Sequence, residues 1–288
     1  MTSRIPRWSA LMSLALLGSA PARALAQAPP ALLVQDVTVP ETNGGPFVAT
    51  FVVAFLDPRR DDHGSVTVVI STTGGTATAG TSCGGAGVDY VGLNNFTLAL
   101  DSTEKRKLVN ITVCGDARDE PDETFVISLL RAQGAAIQDG QAQATIIDDD
   151  PPPSLRVNDV MVAEGAAGTV ATAVFTVTVT GASQNPISVQ FATANGSAIG
   201  GRCGKTDIEA NADPRPPADY APTSGTLSFA PNLASQTLSS VTTVGTTKEI
   251  RVPICSDDSI DGNEQFTVRL SNPVNATIAR TTGTATIR

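Results

Sequence analysis

The sequence predicts an all-β protein made of two tandem antiparallel sandwiches, and three observations carry that expectation. Val- and Thr-rich segments alternate apolar and polar residues at a period of two. No segment repeats at the helical period, and the chain repeats its own order of motifs. At 288 residues it is long enough for two domains with separate cores. Aromatics make up 4% of the chain, so Val, Ile, Leu and Ala must fill those cores.

In the first copy, strands are expected over Phe47 to Phe55, Val66 to Ser71, Phe96 to Leu100, Val109 to Val113 and Phe125 to Leu130. In the second they are expected over Phe175 to Val179, Ile187 to Phe191, Thr226 to Phe229, Ile250 to Ile254 and Phe266 to Leu270. Turn residues such as Asn43-Gly44-Gly45 and Asn195-Gly196 separate them. About seven short strands per copy suit a two-sheet sandwich.

The repeat is collinear. Val37 to Glu41 returns as Val160 to Glu164, and Asp89-Tyr90 returns as Asp219-Tyr220. Cys114, an acidic loop and Glu123-Thr124-Phe125 return as Cys255, a second acidic loop and Glu264-Gln265-Phe266. The offset grows from 123 residues at the first pair to 141 at the last. The second copy therefore carries insertions, most visibly Lys205 to Pro217 and Ser235 to Thr247. Asp148-Asp149-Asp150 closes the first copy, and Pro151-Pro152-Pro153 forms a short, stiff link. The expected modules are 31–150 and 154–288, with the linker at 151–153.

Residues 1–26 have the order of a secretory signal: Arg4 and Arg7, an apolar stretch from Ala10 to Leu17, then Ala24-Leu25-Ala26. The expectation is export to the periplasm, the extracellular space or a cell surface, with no membrane span in the mature chain. Removing this segment takes away three arginines and no acids, which leaves 28 acids against 16 bases. That balance excludes nucleic acid as a natural partner and favours cations.

The ordered motifs resemble the Calx-beta domain of sodium–calcium exchangers and of bacterial surface and adhesion proteins. The matching features are a Glu after the first strand, Asp-Tyr, Gly225 to Phe229, and Lys248 to Ile254. An Asp-containing loop, Glu-x-Phe and a closing Ala-Thr-Ile strand with an Asp run complete them. The likeness covers nearly the whole mature chain. It implies an immunoglobulin-like sandwich with calcium held in acidic loops at one end. Carried over by position, it implies Glu41, Asp89, Asp116, Glu120, Glu123, Asp148, Asp149 and Asp150 as metal ligands, with the carbonyl of Arg118. Gly115 and Ala117 stand where calcium-binding members often have further aspartates. In the second module the implied ligands are Glu164, Asp219, Asp257, Asp261 and Glu264, with the carbonyl of Ser259. The sequence stops at Arg288 without an aspartate run, so this second site is expected to be weaker.

Physical chemistry points the same way. Calcium takes six to eight oxygens in a flexible, carboxylate-rich shell. Two like charges ~4 Å apart cost about 4 kcal/mol at a surface dielectric, and a cation relieves that repulsion. Cys83, Cys114, Cys203 and Cys255 in an exported chain imply disulfides, and four cysteines allow three pairings. Equivalent positions in the two copies favour Cys83 with Cys114 and Cys203 with Cys255. Zinc is disfavoured because the cysteines lack paired short spacing and His63 is the sole histidine. Asp257 to Gly262 imitates an EF-hand start, but Val268 stands where the closing glutamate belongs.

The expected function is a calcium-binding structural or adhesive protein, in which the ion stiffens the acidic loop end and the junction between modules. A metal-free protein-binding or spacer module is the alternative. A secreted hydrolase is a third reading; it finds no nucleophile motif and few aromatics to line a cleft.

Overall fold

The structure, a computed structural model, describes residues 28–58, 64–85, 87–166, 169–203, 218–231, 246–256 and 262–288. The signal-like segment, His63, Asp257, Ser259, Asp261 and nearly all of the two second-copy insertions lie outside the described residues. The described chain is all strand and loop.

Two sandwiches follow one another. The first packs a six-stranded sheet, ordered Ala136–Asp139, Ala31–Val34, Pro46–Phe55, Arg106–Cys114, Tyr90–Val91 and Ala79–Gly80, against a five-stranded one. The five run Val37–Pro40, Gln141–Ile147, Glu123–Gln133, Val66–Gly74 and Phe96–Leu100. The second packs four strands, Thr246–Cys255, Val170–Thr180, Ser154–Val157 and Thr277–Arg280, against five. Those five run Val160–Val162, Thr282–Ile287, Glu264–Val274, Ile187–Asn195 and Ser224–Phe229. Each strand expected from the sequence lies inside an observed one, which extends it at one or both ends in all but the Phe96–Leu100 strand.

Alternation builds the cores. Ala49, Phe51, Val53 and Phe55 point inward along one strand, as do Ala173, Phe175, Val177 and Val179 along its counterpart. Each fully buried Phe or Val contributes about 1.5–3 kcal/mol relative to exposure. The two apolar clusters share no residue. Each is centred on an aromatic trio. Tyr90 stacks on Phe125 at 4.0 Å with Phe51 edge-on at 6.0 Å. Tyr220 stacks on Phe266 at 4.2 Å with Phe175 edge-on at 6.0 Å.

The sheets are antiparallel apart from the short parallel pair Ala79–Gly80 with Tyr90–Val91 and the places where the first and last strands of each sandwich meet. There Val37–Pro40 runs parallel to Gln141–Ile147, and Val160–Val162 runs parallel to Thr282–Ile287. Both partners have crossed over from the opposite sheet, where Ala31–Val34 pairs parallel with Ala136–Asp139. The crossover puts the ends of the first and last strands side by side, and the site uses this. A further two-stranded parallel pair, Arg118–Asp119 with Ala182–Ser183, ties a loop of the first sandwich to the second.

Both disulfides form as the repeat suggested: Cys83–Cys114 and Cys203–Cys255, with Cα separations of 5.3 and 5.0 Å. They close loops of 31 and 52 residues. Replacing Cys83 and Cys114 by Ala is expected to cost about 2–4 kcal/mol of unfolding free energy, read from denaturant melts. The same pair anchors the strand end that binds Asp89, because Cys114 N donates to Asp89 O at 2.8 Å.

Candidate metal centre

The aromatic stack explains how two of the acids meet. In Glu123-Thr124-Phe125 the glutamate and phenylalanine share the inward face of one strand. Phe125 packs on Tyr90, the sequence neighbour of Asp89. The core therefore delivers Asp89 and Glu123 together at the end of the sandwich, where their carboxyl groups hydrogen-bond. Asp89 is held by a second bond, its Oδ2 accepting from Thr78 N at 2.6 Å. With Glu120 they form a buried group whose carboxylate oxygens lie within 4.8 Å of one another.

Glu41, Asp148 and Asp150 form another group of the same spacing. The parallel crossover places them. Glu41 and Asp148 each follow the last residue of a strand, and those strands are paired at Pro40 and Ile147. Glu41 N donates to Ile147 O at 2.9 Å, which fixes the exit of one strand on the other. Asp148 Oδ1 accepts from Glu120 N at 3.2 Å, so the two groups touch.

The remaining candidates divide. Asp116 stands beside the Glu41 group: its charge bears on Glu41 and Asp150, and its Oδ1 accepts from Arg118 N at 2.8 Å. Asp149 is exposed and belongs to neither group. Arg118 contributes more than the expected carbonyl. Its side chain is folded inward, 5% exposed, with the guanidinium against Glu120 and 3.9 Å from Asp116 Oδ2. Asn43, read from the sequence only as a turn residue, donates its Nδ2 to Asp150 Oδ1. Its place two residues after Glu41 is the signal that would have found it.

Electrostatics match this crowding. Burial pushes Glu41 up to about 8, helped by the charges of Asp116, Asp150, Asp148 and Asp89. Burial also carries Glu123 to about 8, with the hydrogen bond and charge of Asp89 adding to it and Arg118 opposing. Asp148 rises to about 6 through burial and then Asp119. Asp150 rises to about 6 through burial and the charge of Asp148, against the hydrogen bond from Asn43. Asp150 Oδ2 is buried without a hydrogen-bond partner, a costly state for an acceptor. An all-oxygen, carboxylate-rich donor set with an orphaned acceptor fits a hard divalent cation.

The second sandwich repeats the frame, with fewer acids in place among the described residues. Asp219 Oδ2 accepts from Ile199 N at 2.6 Å, as Asp89 does from Thr78. Half-buried Glu164, Asp219 and Glu264 line one cavity with Gly262, Ile287 and Arg288. Among the described residues no three acids converge there within ligand range.

The Calx-beta domain family model matches residues 34–150 and 205–288. Similar solved structures include CBD12 from CALX1.2, at 18% identity over 88% of this chain and 99% of that one, with a TM-score of 0.36. The calcium binding domain CBD12 of CALX1.1 is 19% identical over 89% and 99%, also with a TM-score of 0.36. The apo-form Calx CBD1 domain is 20% identical over 48% and 96%, with a TM-score of 0.35. No curated protein matches the chain at comparable significance.

Proposed function

This chain belongs to the Calx-beta domain family, and from that premise we propose that its first module binds calcium and serves an exported structural or adhesive protein. The observation that carries the reading is the Glu41–Asp148–Asp150 group, three carboxylates converging within 4.8 Å around the orphaned Asp150 Oδ2. Glu41, Asp148 and Asp150 would hold the ion, with Asp116 beside them. A bound calcium supplies the positive charge that lets these acids stay ionised together. The reading is one of binding and not of catalysis, as Calx-beta domains are binding and regulatory modules.

The junction belongs to the same reading. Asp148 to Asp150 run directly into Pro151 to Pro153 and the first strand of the second sandwich. On the other side Ser183 Oγ donates to Asp119 Oδ2 at 3.1 Å and Gln184 N donates to Asp119 O at 3.1 Å. An ion that fixes the loops on both sides of this contact stiffens the connection between modules. Export rests on the signal-like order of residues 1–26 and suits the two disulfides.

Calcium titration by calorimetry on the mature chain tests the proposal, beside Asp148→Asn/Asp150→Asn. Saturable binding is expected in the wild type, with affinity lowered at least tenfold in the variant. Absence of binding heat and of thermal stabilisation at several millimolar calcium overturns it.

A further inference from the structure

The two acidic groups differ in one respect, the cation already beside them. The largest charges bearing on Glu41 come from acids: Asp116, Asp150, Asp148 and Asp89. The Asp89–Glu120–Glu123 group instead has the Arg118 guanidinium against Glu120, with its charge also reaching Glu123. Both side chains of that contact are at least nine-tenths buried, and Arg118 Nε has no hydrogen-bond partner. A guanidinium so placed has no solvent to compensate it, so the acids around it are its counter-charge.

The backbone that carries Arg118 is anchored. Arg118 N is bound by Asp116 Oδ1, and Arg118–Asp119 is paired with Ala182–Ser183 of the second sandwich. Ser183 is fully buried in that contact. The arginine thus enters the acidic end from a loop clamped on both sides.

We propose that Arg118 is a tethered cation that occupies the Asp89–Glu120–Glu123 compartment, so that the first module takes up external calcium only in the Glu41–Asp148–Asp150 compartment. The inference rests on the calcium reading above and sets its stoichiometry. Arg118 supplies one positive charge where an ion would supply two, and its covalent attachment gives it a local concentration no free ion matches. Asp116, whose Oδ2 is 3.9 Å from the guanidinium, also bears by its charge on Glu41 and Asp150.

Calorimetric titration with calcium chloride of the wild type, Arg118→Met, Asp148→Asn/Asp150→Asn and the triple combination tests this. Arg118→Met is expected to bind one more calcium than the wild type. The triple variant is expected to regain a site that the double variant lacks. Arg118→Lys, which keeps a charge at the position, is expected to keep the wild-type stoichiometry. Using differences between variants cancels any ion held by the second module. If Arg118→Met does not fold in calcium-free buffer, Arg118→Gln carries the same comparison. A folded Arg118→Met or Arg118→Gln with wild-type stoichiometry, and no regained site in the triple variant, overturns the inference while leaving the calcium reading intact. Uptake by Arg118→Met but not by the wild type upholds it and overturns that reading; uptake by neither overturns both.

Discussion

In calcium-free buffer the thermal midpoint of the first module is expected to fall as the pH rises from about 5 to about 8, and calcium is expected to remove the share of that fall that comes from Glu41, Asp148 and Asp150. The sign follows from the buried carboxyl groups. Glu41 and Glu123 have folded-state values near 8 against 4.5 when exposed, and Asp148 and Asp150 lie near 6 against 3.8. A raised carboxyl holds its proton longer in the folded state. Its contribution is fully present below about pH 4 and is lost as the pH climbs through the folded value. Each tenfold change in proton affinity corresponds to about 1.4 kcal/mol. Glu41 alone then accounts for at most about 4 kcal/mol between pH 5 and 9, and for about half of that once screening by nearby solvent is allowed for. Either figure is a large part of a typical domain's stability. The groups share one field, so their losses overlap and do not add in full. In a module of this size the expected drop in midpoint is about 10 °C or more. Calcium binds the ionised form and displaces the protons, so its stabilisation grows over the same window. Melting curves at pH 5, 6, 7 and 8, in chelator and in about 5 mM calcium, read both effects. A midpoint that rises with pH in chelator would refute the assignment of buried, mutually repelling acids.

Much of this centre was legible in the sequence, for reasons tied to particular residues. Asp89-Tyr90 and Glu123-Thr124-Phe125 recur because one residue of each pair is core and the other is site. Tyr90 on Phe125 is repeated by Tyr220 on Phe266, so repeating the stack within the chain carries the acids along with it. Period-two alternation located the strands, because one face of each is buried against the opposite sheet. Besides Asn43, three things escaped. The parallel pairing of first and last strands depends on a crossover between sheets, which no local pattern encodes. Position alone makes Arg118 a carbonyl donor, whereas the direction of a long side chain is decided by which neighbours are charged. Asp149 sits in a run with Asp148 and Asp150, but in extended chain alternate residues face opposite ways, and it is the outward one.

Restoring an aspartate at position 115 is expected to destroy the site that the family pattern suggests it should improve. Gly115 lies against the backbone of the Glu41 turn: a Cβ there would come 1.9 Å from Thr42 O and 2.5 Å from Glu41 O. Neither carbonyl can yield easily. Thr42 is held at φ 73°, and its Oγ1 donates to Gly45 O at 3.1 Å, while Glu41 N is bonded to Ile147 O. The second sandwich shows that the restriction is local. There Gly165 takes the positive φ, at 99°, and Ser256 fits where Gly115 stands, its hydroxyl donating to Glu164 O. In the first sandwich the tighter approach requires glycine. Gly115→Ala is expected to cost about 1–3 kcal/mol, as overpacking against backbone does. Gly115→Asp adds a further carboxylate beside Glu41 and Asp116, which raises the cost to at least about 4 kcal/mol in chelator. Because Glu41 must move to make room, calcium affinity falls in Gly115→Ala as well, even though alanine removes no ligand. Gly45→Ala, with nothing within 4 Å of its added carbon, is the matched control and is expected to leave both stability and affinity within error. Denaturant melts and calcium titrations on the three variants decide the matter. Gly115→Asp binding calcium more tightly than the wild type would show that the turn yields, and that this position is open to a ligand after all.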